Sequence, residues 1–279
     1  MWSWWQHIPA NLDPVLFEIG SFQMRYYGLM YIVAFVITYG LMLYRIKREE
    51  VRLSEDQLST FFMYTLLGVI LGGRLGYVLF YNLGYFINHP LEIFLPFDVS
   101  NGFAFTGIAG MSYHGGVIGV VIAGLAFSQR QKINFWKMAD LVVPAIPLGY
   151  TFGRLGNFIN GELYGRITDV PWGMYFPAAP TYQLRHPSQL YEAFFEGILL
   201  FLILWTLRNK PSMEKLMLPL YLIGYGIARF FIEFVREPDA HLGYVLGPFT
   251  MGQVLCLGMI LIGAILIVLK GARKEEPFA

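Results

Sequence analysis

Cysteine is almost absent from this 279-residue chain, with Cys256 standing alone. No disulfide framework can form within one such chain. Inside the apolar run TMGQVLCLGMILIGAILIVL, that thiol reads as small core filler. Charge is scarce too: 14% of residues are charged and 56% hydrophobic, against about a quarter charged in a soluble domain. An ordinary soluble fold is thereby excluded. A net charge of +1 leaves no global field to attract nucleic acid. His7, His89, His114, His186 and His241 show no HxxxH pairing, so no metal is expected. No Walker or G-x-G-x-x-G loop points to a nucleotide, and no G-x-S-x-G elbow to a serine hydrolase. No cofactor is expected. The N-terminal MWSWWQHIPA lacks a basic n-region, so no cleavable signal peptide is expected. Its tryptophans read as an interfacial anchor.

Long apolar runs are what the chain does have. A membrane span needs roughly 20 such residues, and candidates fall at about 27–44, 58–81, 113–128, 138–156, 188–207, 216–236 and 249–270. Basic residues cluster after alternate spans: Arg45, Lys47, Arg48 and Arg52; Arg130, Lys132 and Lys137; Arg208, Lys210 and Lys215; Lys270, Arg273 and Lys274. The positive-inside rule then places the N-terminus outside and the C-terminus in the cytoplasm, which needs an odd number of spans. The expected fold is an all-α integral membrane protein, a single polytopic domain over 1–279 with about seven transmembrane helices. Two segments, 82–112 and 157–187, face outward. The aromatic content of the second favours an ordered cover over a disordered loop. GGRLGY at 72–77 is echoed by FGRLGN at 152–157, an echo that glycine-rich helix packing largely explains.

Ionisable residues inside spans default to a functional hypothesis, and here they gather on the outer half. Tyr225, Arg229 and Glu233 are spaced i, i+4, i+8, which stacks them on one helix face. An intrahelical Arg229–Glu233 ion pair is the plain reading. Arg154 and Asn157 share a face on another helix, in the stretch GRLGNFINGE at 153–162. Gly156 and Gly161 are expected to loosen that helix end, letting Asn160 and Glu162 turn back. With Gly153 and Asn160 in support, this stretch reads either as a capping network or as one wall of a site. Arg154 needs a counter-charge, from Glu162 or from an anionic ligand. Guanidinium stays charged when buried and grips phosphate with two donors, so two converging arginines suggest an anionic headgroup. His114, beside Gly115 and Gly116, is a candidate general base. Ser188 in HPSQLYE reads as a helix cap, with Glu192 one turn inside. Tyr26 and Tyr27 sit at the outer edge of the first span, a common interfacial position.

YYGLM (26–30), GGRLGYVLFYN (72–82), YHGG (113–116), GRLGNFINGELYGR (153–166), RHPSQLYE (185–192) and YGIARFFIEFVREPDA (225–240) together resemble the bacterial phosphatidylglycerol–prolipoprotein diacylglyceryl transferase family. The resemblance runs from about residue 13 to 260 and keeps the motifs in order. It implies an inner-membrane enzyme whose active site faces the periplasmic leaflet. Such an enzyme moves the diacylglyceryl group of phosphatidylglycerol onto the lipobox cysteine of a prolipoprotein and releases glycerol-1-phosphate. The positions that match the family's functional ones are Tyr27, His114, Arg154, Asn157, Glu162, Gly165, Tyr225, Arg229 and Glu233. Of these, His114, Arg154, Arg229 and Tyr225 are the catalytic candidates. Tyr27, Asn157, Glu162, Gly165 and Glu233 join the two arginines as lipid-binding candidates. A substrate thiol as nucleophile leaves Cys256 without a catalytic task. A lipid transporter also needs buried arginines, but paired inverted repeats are not seen. A purely structural subunit leaves Arg154, His114 and the outer segment without a joint explanation.

Overall fold

The computed structural model describes residues 3–19, 22–48, 53–95, 97–98, 104–105, 110–237 and 244–272. Its main helices are α1 (Tyr26–Lys47), α2 (Glu55–Tyr81), α3 (Tyr113–Gln131), α4 (Phe135–Val142), α5 (Ile146–Ile159), α6 (Ser188–Leu207), α7 (Met217–Ile232) and α8 (Met251–Ala272). Arg52, Arg273 and Lys274 of the basic loops, together with His241 and part of DVSNGFAFTG, lie outside the described residues. Among the described residues, four helices are long and apolar enough to cross a membrane: α1, α2, α6 and α8. The other expected spans take different forms. The run at 138–156 is broken at Val143–Ala145, a turn of 3₁₀ helix, because Pro144 has no N–H to continue the α ladder. The run at 216–236 stops at Ile232, leaving an apolar helix of 16 residues.

Two compact units divide the chain: residues 1–50 with 139–279, and residues 51–138. In the first, a β-hairpin (Val15–Ile19 with Phe22–Arg25) leads into α1. Helix α1 packs along α5 at Gly149, where an added Cβ would stand 2.5 Å from Thr38 Oγ1 and 3.1 Å from the Ala34 carbonyl. Backbones approach this closely only where one residue has no side chain. Helices α7 and α8 meet the same way at Gly226, 3.0 Å from the Cys256 carbonyl by the same measure. An apolar cluster of Ala139, Val143, Leu200, Leu204 and Met217 binds α4, α6 and α7.

The segment 157–187 is ordered by its own backbone bonds. Gly165 bridges to Arg236, and Ile167 and Met174 both bridge to Arg185. Beneath it lie Phe158, Met174 and Phe176, with Trp5 and Ile8 packed alongside. Trp5 donates to the Trp172 carbonyl at 2.9 Å, so this tryptophan serves tertiary packing. Trp4 is 76% exposed.

In the second unit, α2 and α3 pack glycine on glycine, with Gly68, Gly72 and Gly76 facing Gly115 and Gly119. Ser54 and Gln57 form a capping box at the start of α2. Within the segment 82–112, Leu83–Asn88 is helical and Phe97–Asp98 pairs with Ala104–Phe105.

Candidate anion site

The site grows from three helices of the first unit that each repeat polar residues at four-residue spacing. Helix α5 offers Tyr150 and Arg154, with Asn157 three further on. Helix α6 offers Glu192 and Glu196, and α7 offers Tyr221, Tyr225 and Arg229, followed by Glu233. Such spacing aligns side chains on one face. Part of α6 departs from regular α geometry, since Ala193–Leu199 is π-helical, a distortion common at functional sites. Gly197 lies inside it, where an added Cβ would stand 3.1 Å from Thr151 Cβ. The glycine therefore lets α6 close onto α5 beside the two glutamates.

Glu192 is the hub. It is fully buried, with Oε1 2.8 Å from Arg229 Nη1 and Oε2 2.7 Å from Arg154 Nε. Arg236 Nη1 reaches to 4.0 Å of the same carboxylate. Its location on α6 was expected, but its role was not: it is no structural cap. The counter-charge of Arg154 is thus Glu192 rather than Glu162. Ser188 does not cap α6 either. Its hydroxyl donates to the Leu163 carbonyl at 2.9 Å, while Gln189 donates to the Glu162 carbonyl at 2.6 Å. Both residues tie the start of α6 to the chain just beyond α5.

Arg154 is held on several sides. Its Nε–H points at the Tyr150 hydroxyl, 2.6 Å away, and its guanidinium lies over the Tyr150 ring at 4.7 Å. The Glu192 contact at Nε is therefore mainly electrostatic. Nη1 donates to Asn157 Oδ1 at 3.2 Å, and Asn157 in turn donates to Glu162 Oε1 at 2.8 Å. The side chain keeps 17% of its surface, and Nη2 makes no hydrogen bond to the described residues. The Tyr150 hydroxyl in turn donates a hydrogen bond to Glu196 Oε2. The Tyr150 ring meets Tyr225 edge-on at 5.9 Å.

Arg229 is braced by the expected intrahelical pair, Nη2 to Glu233 Oε2 at 2.9 Å, as well as by Glu192. Glu233 also accepts from Thr250 Oγ1 at 3.0 Å. Gly252 on α8 makes room for that carboxylate: a Cβ there would stand 2.7 Å from Glu233 Oε1.

The remaining expected residues fall into three groups. Tyr27 is close to the site. Its hydroxyl pairs with Tyr31 at 3.0 Å, and its ring lies against Gly156, 3.4 Å from an added Cβ. Gly156 therefore permits close packing of α1 and does not loosen the helix, which ends three residues later. The ending is made by Asn160 as C-cap and Gly161 at φ +69°; the Glu162 amide then turns back to the Asn157 carbonyl at 3.1 Å. Gly153 has open space beside it, so packing does not require it. Gly165 is placed by backbone crowding: an added Cβ would stand 2.5 Å from the Val235 carbonyl and 2.7 Å from the His186 carbonyl. That crowding leaves no room for a side chain there. His114 belongs to the second unit, exposed in the first turn of α3, where Ser112 caps the helix by accepting from Gly115 N at 3.1 Å. Glu192, Glu196 and Tyr150 were not among the candidates read from sequence, although the four-residue spacing was there to be read.

Known proteins resemble this chain over nearly all of its length. The family model described as "Prolipoprotein diacylglyceryl transferase" matches residues 14–269. A phosphatidylglycerol–prolipoprotein diacylglyceryl transferase of Chlorobaculum tepidum is 55% identical over 98% of this chain and 95% of its own length. Proteins of the same name from Geobacter sulfurreducens and Wolinella succinogenes are 46% and 48% identical. They align over 96% and 91% of this chain, and over 98% and 92% of their own lengths.

Proposed function

The chain belongs to the prolipoprotein diacylglyceryl transferase family, and from that premise we infer that it transfers the diacylglyceryl group of phosphatidylglycerol to the cysteine thiol of a prolipoprotein. One observation carries the reading: Arg154 and Arg229, from different helices, converge on the single carboxylate of Glu192, while the Nη2 edge of Arg154 makes no hydrogen bond to the described residues. A phosphodiester offers oxygens that accept hydrogen bonds from such an edge.

The chemistry follows from that placement. A thiolate attacks the glyceryl carbon, the carbon–oxygen bond to phosphate breaks, and glycerol-1-phosphate leaves with the added negative charge. Arg154 and Arg229 stabilise that charge as it develops. Glu192 and Tyr150 hold Arg154 before the substrate arrives, so no reorganisation is needed in the transition state. The thiol, ordinarily titrating near 8.5, needs activation, and His114 is the proposed base. Tyr27, Asn157, Glu162, Tyr225 and Glu233 frame the headgroup, with Asn160 closing the helix end. We further assign seven membrane passes in one polytopic domain, with the N-terminus outside and the C-terminus cytoplasmic. On this reading the segments 82–112 and 157–187 face the periplasm of a bacterial inner membrane, the active site lies toward that leaflet, and the accepting cysteine is that of the lipobox.

The test is transfer from a labelled phosphatidylglycerol to a lipobox peptide by the purified protein. Arg154→Lys keeps the charge but loses the planar fork. It is expected to lower kcat/KM by about 100-fold or more, the scale of one preorganised donor. Near-parental transfer by this variant would remove two-donor phosphate binding from the mechanism.

A further inference from the structure

The buried cluster holds as many acids as bases. Arg154, Arg229 and Arg236 face Glu192, Glu196 and Glu233. An anionic headgroup entering beside the arginines adds one negative charge to a region already in balance, and an uncompensated buried charge is costly. One carboxylate must be neutralised or the anion is poorly held.

The three buried glutamates are not equivalent. Glu192 is gripped by Arg154 and Arg229 at 2.7 and 2.8 Å. Glu233 has Arg229 at 2.9 Å and the Thr250 hydroxyl at 3.0 Å. Glu196, fully buried, has its nearest cation at 3.9 Å, on Oε1, and that oxygen has no hydrogen-bond partner among the described residues. Its other oxygen accepts from Tyr150, a neutral donor. The groups that face Glu196 are Tyr150 and Arg154 on α5, Glu192 in its own helix, Arg229 on α7, and Cys256 on α8. Among the described residues, the cations whose charge reaches it are Arg229, at 3.9 Å, and Arg154. Binding of the anion draws those arginines' charge toward the ligand and weakens what holds Glu196 ionised.

We propose that Glu196 takes up one proton from water when an anionic lipid headgroup occupies the Arg154–Arg229 site, so that binding is a coupled uptake of lipid and proton. This rests on the reading of that site as a phosphate site. The proton adds to Oε1, the orphaned oxygen, and no bond in the lipid changes at this step. Tyr150 is the positioning residue. It orients Arg154 through Nε and holds Glu196 Oε2, coupling the arginine to the acid that compensates for its ligand.

The experiment uses the full chain in uncharged detergent micelles, with little buffer and a pH-indicator dye. Phosphatidylglycerol is the probe, and protein-free micelles give the blank. The parent is expected to take up to one proton per lipid bound, and its affinity to fall about tenfold per pH unit above the transition. Glu196→Gln mimics the protonated acid. It should bind the lipid while losing both the uptake and the pH slope. In Tyr150→Phe, loss of the donor to the carboxylate should move the transition to higher pH, leaving uptake in place. Lipid binding by the parent without proton uptake overturns the proposal even if Glu196→Gln fails to fold, and so does unchanged uptake in Glu196→Gln. Failure of the parent to bind the lipid, or binding indifferent to Arg154→Lys, instead strikes the underlying phosphate site.

Discussion

Replacing Glu192 by Gln isolates the electrostatics of the cluster, because the side-chain volume is kept and no cavity opens. The variant removes one negative charge from between Arg154 and Arg229, at contacts of 2.7 and 2.8 Å in a fully buried position. Two unit charges about 4 Å apart interact by ~4 kcal/mol at an effective dielectric constant of about 20. Two such contacts are lost, but water entry and movement of the arginines recover part of this. Removing one partner of a buried ion pair costs about 3–5 kcal/mol in practice, and that is the expected loss here. The carboxamide also places an N–H₂ against one guanidinium, where no acceptor remains. Such a loss is large beside total stabilities of about 5–15 kcal/mol. Reversible unfolding in mixed micelles measures it directly. A second measurement separates charge from shape. The variant site carries excess positive charge, so saturating phosphatidylglycerol should restore more stability to Glu192→Gln than to the parent. At one common lipid concentration, 100 times the parent's Kd, the parent gains about 2.7 kcal/mol, and a tenfold lower Kd in the variant adds about 1.4 kcal/mol. A loss under about 1 kcal/mol, or equal stabilisation of both proteins by the lipid, would refute Glu192 as the shared counter-charge.

Other perturbations test the surrounding parts. Cys256→Ser should retain transfer activity within a few-fold and lose about 1–2 kcal/mol from burying a hydroxyl among apolar groups; abolished transfer by well-folded protein would contradict a nucleophile supplied by the substrate. Gly165→Ala forces a Cβ to within 2.5 Å of the Val235 carbonyl. It should cost about 1–3 kcal/mol, seen as faster proteolysis within 157–187, and parental resistance would show that the cover tolerates a side chain there. His186 lies just before α6, where burial lowers its pKa from 6.5. The folded protein then binds this proton less readily than the unfolded chain, so the contribution is present above about pH 6.5 and lost as pH falls through the lowered value. His186→Gln should flatten the acid side of the stability profile, and an unchanged acid slope would assign that dependence elsewhere.

Several parts of this protein were legible without coordinates. Apolar runs of membrane length marked α1, α2, α6 and α8, because length and hydropathy are properties of contiguous residues. The Arg229–Glu233 pair followed from i, i+4 spacing, since a helix fixes that neighbourhood by itself. The end of α5 followed from Asn160 and Gly161 for the same local reason. Even there, Gly156 and Gly161 looked alike in sequence. Only packing separates the glycine that admits Tyr27 from the one that turns the chain at positive φ. The GRLG echo is the clearest case of sequence likeness without shared role. Arg74 is spent on backbone, with Nε to the Ile93 carbonyl at 2.7 Å and Nη2 to the Glu92 carbonyl at 2.6 Å. Arg154 meets side chains, and its Nη2 makes no hydrogen bond to the described residues.

By itself, the sequence determined a helical membrane protein with costly arginines on two helices, and its ordered motifs carried the family resemblance. The tertiary structure decided which charges answer those arginines. Glu192 lies 38 positions from Arg154 and 37 from Arg229 along the chain, and no local periodicity relates them. They meet because Gly197 lets α6 close against Thr151 of α5 and because α7 packs on α6, with Tyr225 set edge-on to Tyr150 of α5. Helical spacing sets the face a residue occupies, while the partner across that face is chosen by packing.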